Sequence, residues 1–489
     1  MVYRFDKFYI GGRWVASRSA GRLTAVNPAT EEITGTVPDA TTADTEDAIS
    51  AARQAFDHGE WASISPRRRA DAMTAMGEIM RERRDELFAL DIAETGRAQS
   101  TVPLFVDTPI DRWFDTAERV IPSFSFVEPM PPLVEHGKVG QGAVHREPYG
   151  VATLITPFNA PWLMALFKVG PALAAGCTVV LKPSPYTPLS AFVLAEIADA
   201  AGLPPGVLNV ISGGIEASEM LTSHPDVDLV SFTGSDAVGR KILSQAAPTL
   251  KKVVLELGGK SANVICSDAD LDRVTPDVLR SFTANCGQGC GMYTRTIVHS
   301  SLHDELVDRL LKLLPAITIG DPTDPSVGLG PLISAAQRER VEKMIAAGRA
   351  EGASVAYGGG RPAHLHRGYF LEPTLMTGVH SSMSVAQQEF FGPVGVVIPF
   401  DTDNEAIAIA NDSAYGLSGS VWSRDTARAY AIARRIRTGS VAVNGGSGRL
   451  NPHGPFGGYK NSGLGREWGR WGVDEFLQHK TIHWPVAAG

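Results

Sequence analysis

Two of the four cysteines in this 489-residue chain, Cys286 and Cys290, lie in the short segment TANCGQGC, residues 283–290. Such a pair could bind a metal, form a disulfide, or supply one nucleophile and one bystander. A structural zinc site needs four ligands, and no second cysteine or histidine pair is near in sequence. Four cysteines in so long a chain do not make a disulfide framework, and a reducing compartment would leave them as thiols. A single nucleophile is therefore the favoured interpretation.

The two cysteines differ in their surroundings. Cys290 lies between Gly289 and Gly291, and the missing side chains open a path to its sulfur. A thiol reached in this way is placed for attack on a substrate. Cys286 stands near the predicted C-terminus of a helix and fits a buried apolar thiol. Whether the two sulfurs could form a disulfide under oxidation is left open at this point.

A carboxylate ends the apolar run in KVVLELGGKS, residues 252–261. Glu256 stands at the end of this predicted strand, and the glycines after it leave room for a substrate, which is how a general base would be placed. The tail of the segment imitates a nucleotide-binding P-loop. That motif also needs glycine at position 254, which is Val254 here, so we exclude an ATPase or kinase of the P-loop type.

Polar side chains follow two other apolar runs. In TPFNAP, residues 156–161, two prolines fix the backbone on either side of Asn159, which could aim its amide or form an ordinary turn. Lys182 ends another predicted strand, where it could meet a cofactor hydroxyl or phosphate, or simply reach solvent. Both interpretations stay open for both residues.

The segment FTGSDAVG, residues 232–239, places glycines and a hydroxyl at a predicted strand-to-helix junction. Free backbone N–H groups and the helix dipole favour a phosphate there. The segment is not the usual G-x-G-x-x-G fingerprint, and a turn that only caps the helix is the alternative.

The elements that must position these residues form a regular series. Short apolar runs alternate with helical segments rich in Ala and Leu, which predicts a parallel sheet covered on both faces, with binding crevices at the carboxyl ends of its strands. A second alternating series predicts a second α/β domain. Before them come a β-rich opening, helices at 43–56 and 67–94, and an extended excursion at 121–132. The predicted strands of the first sheet are 151–156, 177–182, 207–212, 228–233 and 252–257.

Composition narrows the class of function. The chain is 44% hydrophobic with a formal net charge of −8, so it is predicted to be globular and to bind neither nucleic acid nor an anionic membrane. No signal-peptide pattern and no long uninterrupted apolar stretch is found, which predicts a cytoplasmic protein. A small molecule is the expected partner, and no metal site is expected.

Seven motifs, in order along nearly the whole chain, resemble the aldehyde dehydrogenase superfamily, whose members oxidise aldehydes to acids with NAD or NADP. The motifs are NPAT at 27–30, TPFNAP at 156–161, FTGS at 232–235, ELGGK at 256–260, GQGC at 287–290, EFFGPV at 389–394 and PFGGYKNSGLGRE at 455–467.

The resemblance implies that Cys290 is the nucleophile, that Glu256 is the general base, and that Asn159 supplies half of an oxyanion hole completed by the backbone N–H of Cys290. Glu467 would order water or relay protons near Glu256. The reaction implied is thiohemiacetal formation, hydride transfer to NAD(P), and hydrolysis of the resulting thioester by water that Glu256 activates.

The resemblance also implies the cofactor contacts. Lys182 would hold the adenosine ribose and Ser235 the pyrophosphate. Glu389 would bind the nicotinamide ribose, and Phe391 would pack near the nicotinamide. The other implied cofactor-binding residues are Thr156, Pro157, Phe158, Ser184, Pro185, Gly214, Phe232, Thr233, Gly234, Leu257 and Gly258.

The fold implied is α/β, with a Rossmann-like cofactor domain at 1–122 and 146–255 and a catalytic domain at 256–458. A small β oligomerisation excursion, at 123–145 and 470–489, would pair subunits into homodimers or homotetramers.

The chain departs from the family where NAD-preferring members commonly carry a glutamate three residues after the lysine. Pro185 stands there, so no carboxylate would repel the 2′-phosphate of NADP, and NAD with tolerance for NADP is expected. Small or flexible residues around the predicted substrate pocket favour a medium or large apolar aldehyde. The pocket residues are Ala160, Met164, Phe167, Gly289, Gly291 and Phe456.

Two other functions stay open: a CoA-acylating semialdehyde dehydrogenase, and a non-catalytic descendant of the fold. Acylating relatives typically lack the base at the position of Glu256. A structural descendant need not keep Cys290, Glu256 and Asn159 together. Arg295 and Arg449 have no position assigned by the sequence and could bind the carboxylate of a semialdehyde.

Overall fold

A computed structural model describes residues 2–136, 138–446, 451 and 453–486 of the chain. Its largest sheet has eight strands, and the five strands expected in the first parallel sheet are confirmed within it. Val151–Ile155 lies at the centre and pairs in parallel with its neighbours on both sides. In spatial order the strands are Gly463–Leu464, Lys252–Glu256, Leu229–Thr233, Val151–Ile155, Thr178–Lys182, Leu208–Val210, Lys7–Ile10 and Arg13–Ala16.

Helices cover both faces of this sheet and bury its central strands on both sides. This burial explains why those strands are continuous apolar runs in the sequence. Gly176 ends one of the helices in the left-handed conformation and allows the chain to turn directly into the next strand. The helices are Thr42–His58, Pro66–Glu82, Arg84–Thr95, Val102–Asp115, Ile121–Ser123, Pro161–Ala175, Leu189–Ala200, Ile215–Ser223 and Asp236–Ala246.

The second α/β domain that the sequence predicts has its own seven-stranded sheet. Its strands, in spatial order, are Ser354–Tyr357, Thr374–Thr377, Val394–Phe400, Arg295–His299, Ala262–Ile265, Ser418–Trp422 and Ser440–Val443. Its helices are Leu271–Thr283, Ser300–Leu313, Ala335–Ala350, Ser384–Gln387, Asp403–Asn411 and Thr426–Ala433.

A third, four-stranded sheet is made by the excursion and the end of the chain. The long strand Lys138–Pro148 pairs antiparallel with Leu477–Pro485 over nine residue pairs and also with two short strands, Val127–Pro129 and Leu133–Glu135. The helix Gly469–Glu475 precedes the last strand. Residues 487–489 of the predicted oligomerisation segment lie outside the described residues.

Three details differ from the sequence predictions. The helix expected at 67–94 is two helices, since Pro66–Glu82 ends at Arg83 and Arg84–Thr95 begins after it. The strand Lys138–Pro148 runs past the predicted boundary at 145. The short strand Gly463–Leu464, beyond the predicted catalytic domain, joins the first sheet beside Lys252–Glu256. The domain boundaries therefore stay predictions.

A small three-stranded sheet completes the fold, with Ile33–Pro38 between Tyr3–Arg4 and Arg22–Val26, and the pair Tyr415–Gly416 with Tyr459–Lys460 lies apart from it. No helix among the described residues is long and apolar enough to cross a membrane.

Candidate active site

The carboxyl ends of neighbouring parallel strands bring the predicted residues to one edge of the first sheet. Ile155 pairs in register with Phe232, and Thr233 pairs with Glu256. The loop that carries Asn159 follows the first of these strands, and the glycines of ELGGK follow the last. The structure therefore gathers at one edge the segments that the sequence predicts to hold substrate and cofactor.

Cys290 lies against the glycines that follow Glu256. A Cβ atom on Gly259 would stand only 2.4 Å from the carbonyl oxygen of Cys290, so glycine is required for this approach. Burial, with smaller contributions from the carboxylates of Glu389 and Glu256, raises the pKa of the Cys290 thiol to about 12, against the opposite effect of the backbone N–H groups of Cys290 and Gly291. Cys290 thus lies beside the segment that follows Glu256.

Cys286 is a bystander in this geometry. It packs in an apolar cluster with Leu329, Val341 and Phe390, and burial raises the pKa of its thiol. The sequence placed Cys286 near the C-terminus of a helix. The helix Leu271–Thr283 ends three residues before it, and Cys286 has a left-handed φ of 54°. Both cysteines are free thiols. Within the described part of the chain, no group of His, Cys, Asp and Glu side chains could hold a metal.

Asn159 is tied to the loop that leads to Cys290. Its side-chain nitrogen donates to the carbonyl oxygen of Gln288 at 2.9 Å. An amide nitrogen carries two hydrogens, so this bond fixes the orientation of the side chain and leaves one N–H to donate elsewhere. The interpretation of Asn159 as an aimed amide is favoured over that of an ordinary turn residue.

Glu256 is buried, and neither of its carboxylate oxygens has a hydrogen-bond partner among the described residues. Burial raises its pKa well above the usual range, and the nearby Glu467 raises it further. A Cβ on Gly457 would lie 2.7 Å from one of the oxygens, so that glycine gives the carboxylate its space. Such a carboxyl is placed to accept a proton from a small molecule that reaches it.

Glu467 is held by a lysine that the sequence analysis did not single out. The Lys168 ammonium, fully buried in the helix Pro161–Ala175, donates to Glu467 Oε1 at 2.5 Å and to the Ser231 hydroxyl at 2.9 Å. The other oxygen of Glu467 is buried and has no hydrogen-bond partner within the described parts of the chain. The pair of carboxyls, Glu256 and Glu467, is therefore balanced by one buried cation.

Replacing that cation tests the balance. Lys168→Met leaves Glu467 as an uncompensated buried carboxylate, and we expect the free energy of unfolding to fall by about 3–5 kcal/mol. The double variant Lys168→Met, Glu467→Gln removes both charges and should recover most of that loss. Urea unfolding of the three proteins measures the difference, and equal stability of the single and double variants would contradict the pairing.

The cofactor edge is formed by residues at the ends of three strands. The Lys182 side chain is buried, which excludes the solvent-exposed alternative, and it donates to the carbonyl oxygens of Pro183 and Gly213 at 3.0 and 3.1 Å. Burial lowers its pKa to about 8. Nothing stands within 4 Å of a Cβ built on the neighbouring Gly214, so the surface beside this lysine is open. Pro185 is exposed at the same rim.

The FTGS segment forms the helix cap that was one of its two predicted roles, and the phosphate site stays a prediction. The Ser235 hydroxyl accepts from the backbone N–H of Val238 at 3.4 Å and so caps the helix Asp236–Ala246. The Thr233 hydroxyl is buried without a partner in the described structure. A Cβ on Gly234 would lie 2.3 Å from the ring of Phe232, which fixes this tight turn. Thr156 and Leu257 are buried beside it, at the ends of neighbouring strands.

Glu389 and Phe391 stand opposite this edge. A Glu389 oxygen accepts from the backbone N–H of Gly259 at 3.0 Å, and burial raises the pKa of this carboxyl to about 7. A Cβ on Gly258 would stand 2.5 Å from Glu389, so a side chain there would collide with it. Phe391 has a left-handed φ of 54°, and its ring contacts that of Phe158 edge-on at 5.6 Å.

Two residues of the predicted substrate pocket, Phe456 and Phe167, pack against Trp468, which the sequence analysis did not include. Phe456 stacks on Trp468 with ring centres 4.4 Å apart, and Phe167 meets Trp468 edge-on at 5.3 Å. Phe456 also forms an antiparallel bridge with Glu467, so the aromatic wall and the buried carboxyl share one backbone contact. A cavity beside the stack is lined by Arg112, Trp113, Asp115, Thr116, Leu166, Phe167, Pro171, Trp468 and Gly469.

The remaining pocket residues lie near the loops of Asn159 and Cys290. Met164 and Phe167 are on the one face of the helix Pro161–Ala175 that is only half-buried, whereas Ala160 is buried at its start. Gly289 and Gly291 flank Cys290 and are half-buried. The side chain of Met292 packs against Gly289.

Comparisons with known proteins agree with this geometry. The profile of the aldehyde dehydrogenase family matches residues 14–482. A 3-succinoylsemialdehyde-pyridine dehydrogenase from a Pseudomonas species is 42% identical to the chain, covering 98% of each protein. The chloroplastic betaine aldehyde dehydrogenase of Beta vulgaris is 39% identical, over 97% of this chain and 95% of that protein. The chain belongs to the aldehyde dehydrogenase family.

A solved structure of another aldehyde dehydrogenase is similar throughout. A mutant of aldehyde dehydrogenase C from Pseudomonas syringae, in complex with NAD+ and octanal, superposes with a TM-score of 0.92 at 41% identity, over 98% of this chain and 96% of that one. The family resemblance and the α/β fold predicted from the seven motifs are thus confirmed.

Two features of this aldehyde dehydrogenase were missed from sequence or left unassigned. Lys168 could have been found as the one charged residue inside an otherwise apolar helix. The Arg295 guanidinium is buried and donates to the carbonyl oxygens of Lys260, Ile409, Ala410 and Asp412, so four of its five N–H groups are already used by the backbone, which disfavours a role in binding a substrate carboxylate. Arg449 lies outside the described residues.

Proposed function

We propose that this aldehyde dehydrogenase oxidises an aldehyde to the carboxylic acid with reduction of NAD, through a covalent intermediate on Cys290. The observation that carries the proposal is that Cys290 lies against Gly259, three residues after Glu256: a Cβ on Gly259 would stand 2.4 Å from the Cys290 carbonyl oxygen. Glu256 is a buried carboxyl without a partner among the described residues. A nucleophile and a base in one site suit a reaction that forms a thioester and then hydrolyses it.

In the first step the Cys290 thiol gives up its proton to water, and its sulfur adds as thiolate to the aldehyde carbon. The carbonyl oxygen becomes an oxyanion, which the free N–H of Asn159 and the backbone N–H of Cys290 would stabilise. Donors of this kind contribute about 3–4 kcal/mol each to related transition states. The bond from Asn159 to the Gln288 carbonyl holds the amide in place before substrate arrives.

The thiohemiacetal then loses hydride and becomes a thioester. NAD, when bound, supplies the hydride acceptor for this step. Glu256 next takes a proton from water, whose oxygen attacks the thioester carbon and releases the acid and the Cys290 thiol. Glu467, paired with Lys168, raises the pKa of Glu256, and its role in the proposal is to order the attacking water or relay a proton near Glu256.

The residues at the sheet edge fit a dinucleotide. Thr233 offers a buried hydroxyl with no partner in the described structure, the helix Asp236–Ala246 offers its N-terminus, and Lys182 lies beside the open surface at Gly214. Pro185 brings no carboxylate to this surface. We therefore propose NAD as the cofactor, as in the bound structure of the Pseudomonas syringae relative, with NADP tolerated.

A medium or large apolar aldehyde suits the pocket best. Phe167, Phe456 and Trp468 form a continuous aromatic wall, and an apolar tail would bury surface there at about 25 cal/mol per Å². The relative crystallised with octanal is consistent with such a substrate. Arg295 is disfavoured as a partner for a semialdehyde carboxylate, because four of its five N–H groups are used by backbone carbonyls.

The third sheet supports the proposal of a homodimer or homotetramer. Its strands expose large apolar side chains, with Leu133 65% exposed, Val134 69% and Trp484 44%. Exposed apolar surface of this kind is typical of a subunit contact. We expect light scattering to give a mass of two or four chains.

A panel of aldehydes with each cofactor tests the proposed substrate and cofactor. We expect kcat/KM to rise along a series of straight-chain aldehydes towards octanal and to be lower for succinic semialdehyde and betaine aldehyde. Trp468→Ala should lower kcat/KM for octanal by about 10-fold or more, because a buried aromatic contact is lost, and should change that for acetaldehyde less. Tyr430→Ala, at an exposed position far from the site, is the control.

Three outcomes would contradict parts of the proposal. Turnover restricted to the charged aldehydes would exclude an apolar substrate. A strong bias of kcat/KM towards either cofactor would remove the claimed tolerance for NADP. Release of the acyl group only when coenzyme A is added would favour the acylating alternative, which the buried Glu256 opposes.

A further inference from the structure

One buried arginine that the proposed reaction does not use joins the two loops around Cys290. Arg97 follows the helix Arg84–Thr95, and its side chain is fully buried. A buried guanidinium is costly unless its donors are paired and hydrogen-bonded. The partners of Arg97 therefore show which parts of the protein it holds together.

Each nitrogen of the Arg97 guanidinium has a different partner. Nε donates to Asp91 Oδ2 at 2.6 Å, which neutralises the charge locally. Nη1 donates to the side-chain oxygen of Asn285 at 2.7 Å, and Nη2 donates to the main-chain oxygen of Asn159 at 2.8 Å. The guanidinium also lies 3.2 Å from the centre of the Phe105 ring. A planar group with donors on three sides suits this position, whereas a lysine could satisfy only part of it.

Asn285 carries the connection on to the loop of Cys290. Its backbone has a left-handed φ of 50°, which asparagine tolerates better than most residues. Its side-chain nitrogen donates to the carbonyl oxygen of Gln288 at 3.0 Å and to that of Asn159 at 3.3 Å. The same Gln288 oxygen accepts from the Asn159 amide at 2.9 Å. Arg97 thus contacts one side of the predicted oxyanion hole directly and the other through Asn285.

We propose that Arg97 is a positioning residue for the oxyanion hole, an inference that rests on the proposed function. It holds the main chain of Asn159 and the loop before Cys290 at a fixed separation. Asn159 follows a strand of the first sheet, whereas the Cys290 loop precedes a strand of the second. The donors of an oxyanion hole act only at the correct distance, and a displacement of about 1 Å can cost 10²-fold in rate. Arg97 should therefore matter for acylation and not for binding of cofactor.

The experiment compares two buried arginines. In Arg97→Met we expect the rate of the NADH burst to fall by about 10- to 100-fold, while the KM for aldehyde stays within about threefold. The matched control is Arg69→Met. Arg69 is also buried, donates to the carbonyl oxygens of Ile64 and Ala174 at 3.1 Å, and lies over the Phe126 ring. Its loss should lower thermal stability without slowing the burst.

A second variant covers the case in which Arg97→Met does not fold. Asn285→Gly keeps the left-handed backbone, leaves the pair of Arg97 with Asp91 intact, and removes the connection to Gln288. It should slow the burst in the same direction. Because alkylation develops no oxyanion, both variants should keep the wild-type rate of Cys290 alkylation by iodoacetamide and the wild-type affinity for NADH, measured by its fluorescence.

The outcomes separate this inference from the proposed function. A normal burst in Arg97→Met and Asn285→Gly, with only a loss of stability as in Arg69→Met, would overturn the positioning role and leave the proposed function standing. An equal fall in burst rate and in alkylation rate would also overturn it, since it would show general damage to the site. Absence of any burst from the unmodified enzyme would overturn the proposed function and this inference with it.

Discussion

Cys290→Ala should abolish aldehyde oxidation, with kcat falling by at least about four orders of magnitude, because loss of a nucleophile leaves no atom to carry the covalent intermediate. No burst of NADH should be seen when enzyme and octanal are mixed rapidly. Binding of NADH should persist, since Cys290 lies at the end of the loop and not at the strand ends that would hold the adenosine. Stopped-flow absorbance of NADH and a fluorescence titration measure the two effects.

The matched control is the neighbouring thiol. Cys286→Ala removes a sulfur from the apolar cluster around Leu329 and Val341, so it should cost stability and leave the burst largely intact. Cys286 has a left-handed backbone, which few residues other than glycine adopt easily, so Cys286→Ala could lower the fraction of folded enzyme. The burst amplitude is therefore normalised to the amount of folded enzyme. A normal burst in Cys290→Ala together with its loss in Cys286→Ala would reverse the assignment.

Glu256→Gln should separate the two halves of the reaction. The thioester still forms, so a single burst of NADH should remain, whereas steady turnover should fall by about 10²- to 10⁴-fold because no base activates water. A rapid-mixing trace would show the burst followed by an almost flat line. Survival of both phases would mean that another group activates water.

The pH profile gives an independent check on the same residue. Burial and Glu467 raise the pKa of Glu256 well above its usual range, so the carboxyl is protonated, and unable to accept a proton, at pH values where an exposed glutamate is ionised. The steady-state rate should therefore rise with pH until Glu256 ionises, and Glu256→Gln should lose that rise. Glu94→Gln is a control for a buried carboxyl that the reaction does not use: burial raises the pKa of Glu94 to about 8, and its oxygens accept from the backbone N–H groups of Leu189 and Ser190.

The strands of the first sheet could be predicted because each is buried on both faces and is apolar without interruption. That prediction placed Asn159, Lys182 and Glu256 near the carboxyl ends of strands, whereas the roles of Asn159 and Lys182 came only from the family resemblance and stay predictions. Motif order then identified the family. These are properties of segments a few residues long, which a linear sequence displays directly.

Contacts between distant segments could not be predicted in the same way. The break at Arg83 is marked by neither glycine nor proline, so helical spacing continued through it. Trp468 reaches the pocket because the preceding residue, Glu467, forms a bridge with Phe456 and Trp468 itself has a left-handed φ of 78°. The link from Arg97 to Asn285 joins residues 188 positions apart. Each depends on tertiary packing and has no periodic signal of its own.

The short strand Gly463–Leu464 affects when the site can be completed during synthesis of the chain. It is the outer neighbour of Lys252–Glu256, and the same stretch of chain supplies Glu467 before the last strand closes on Lys138–Pro148. Domains tend to fold from the N-terminus as the ribosome delivers them. We therefore expect a nascent chain to contain Cys290 well before Glu467 completes the surroundings of Glu256, so that dehydrogenase activity would begin only when translation is nearly finished.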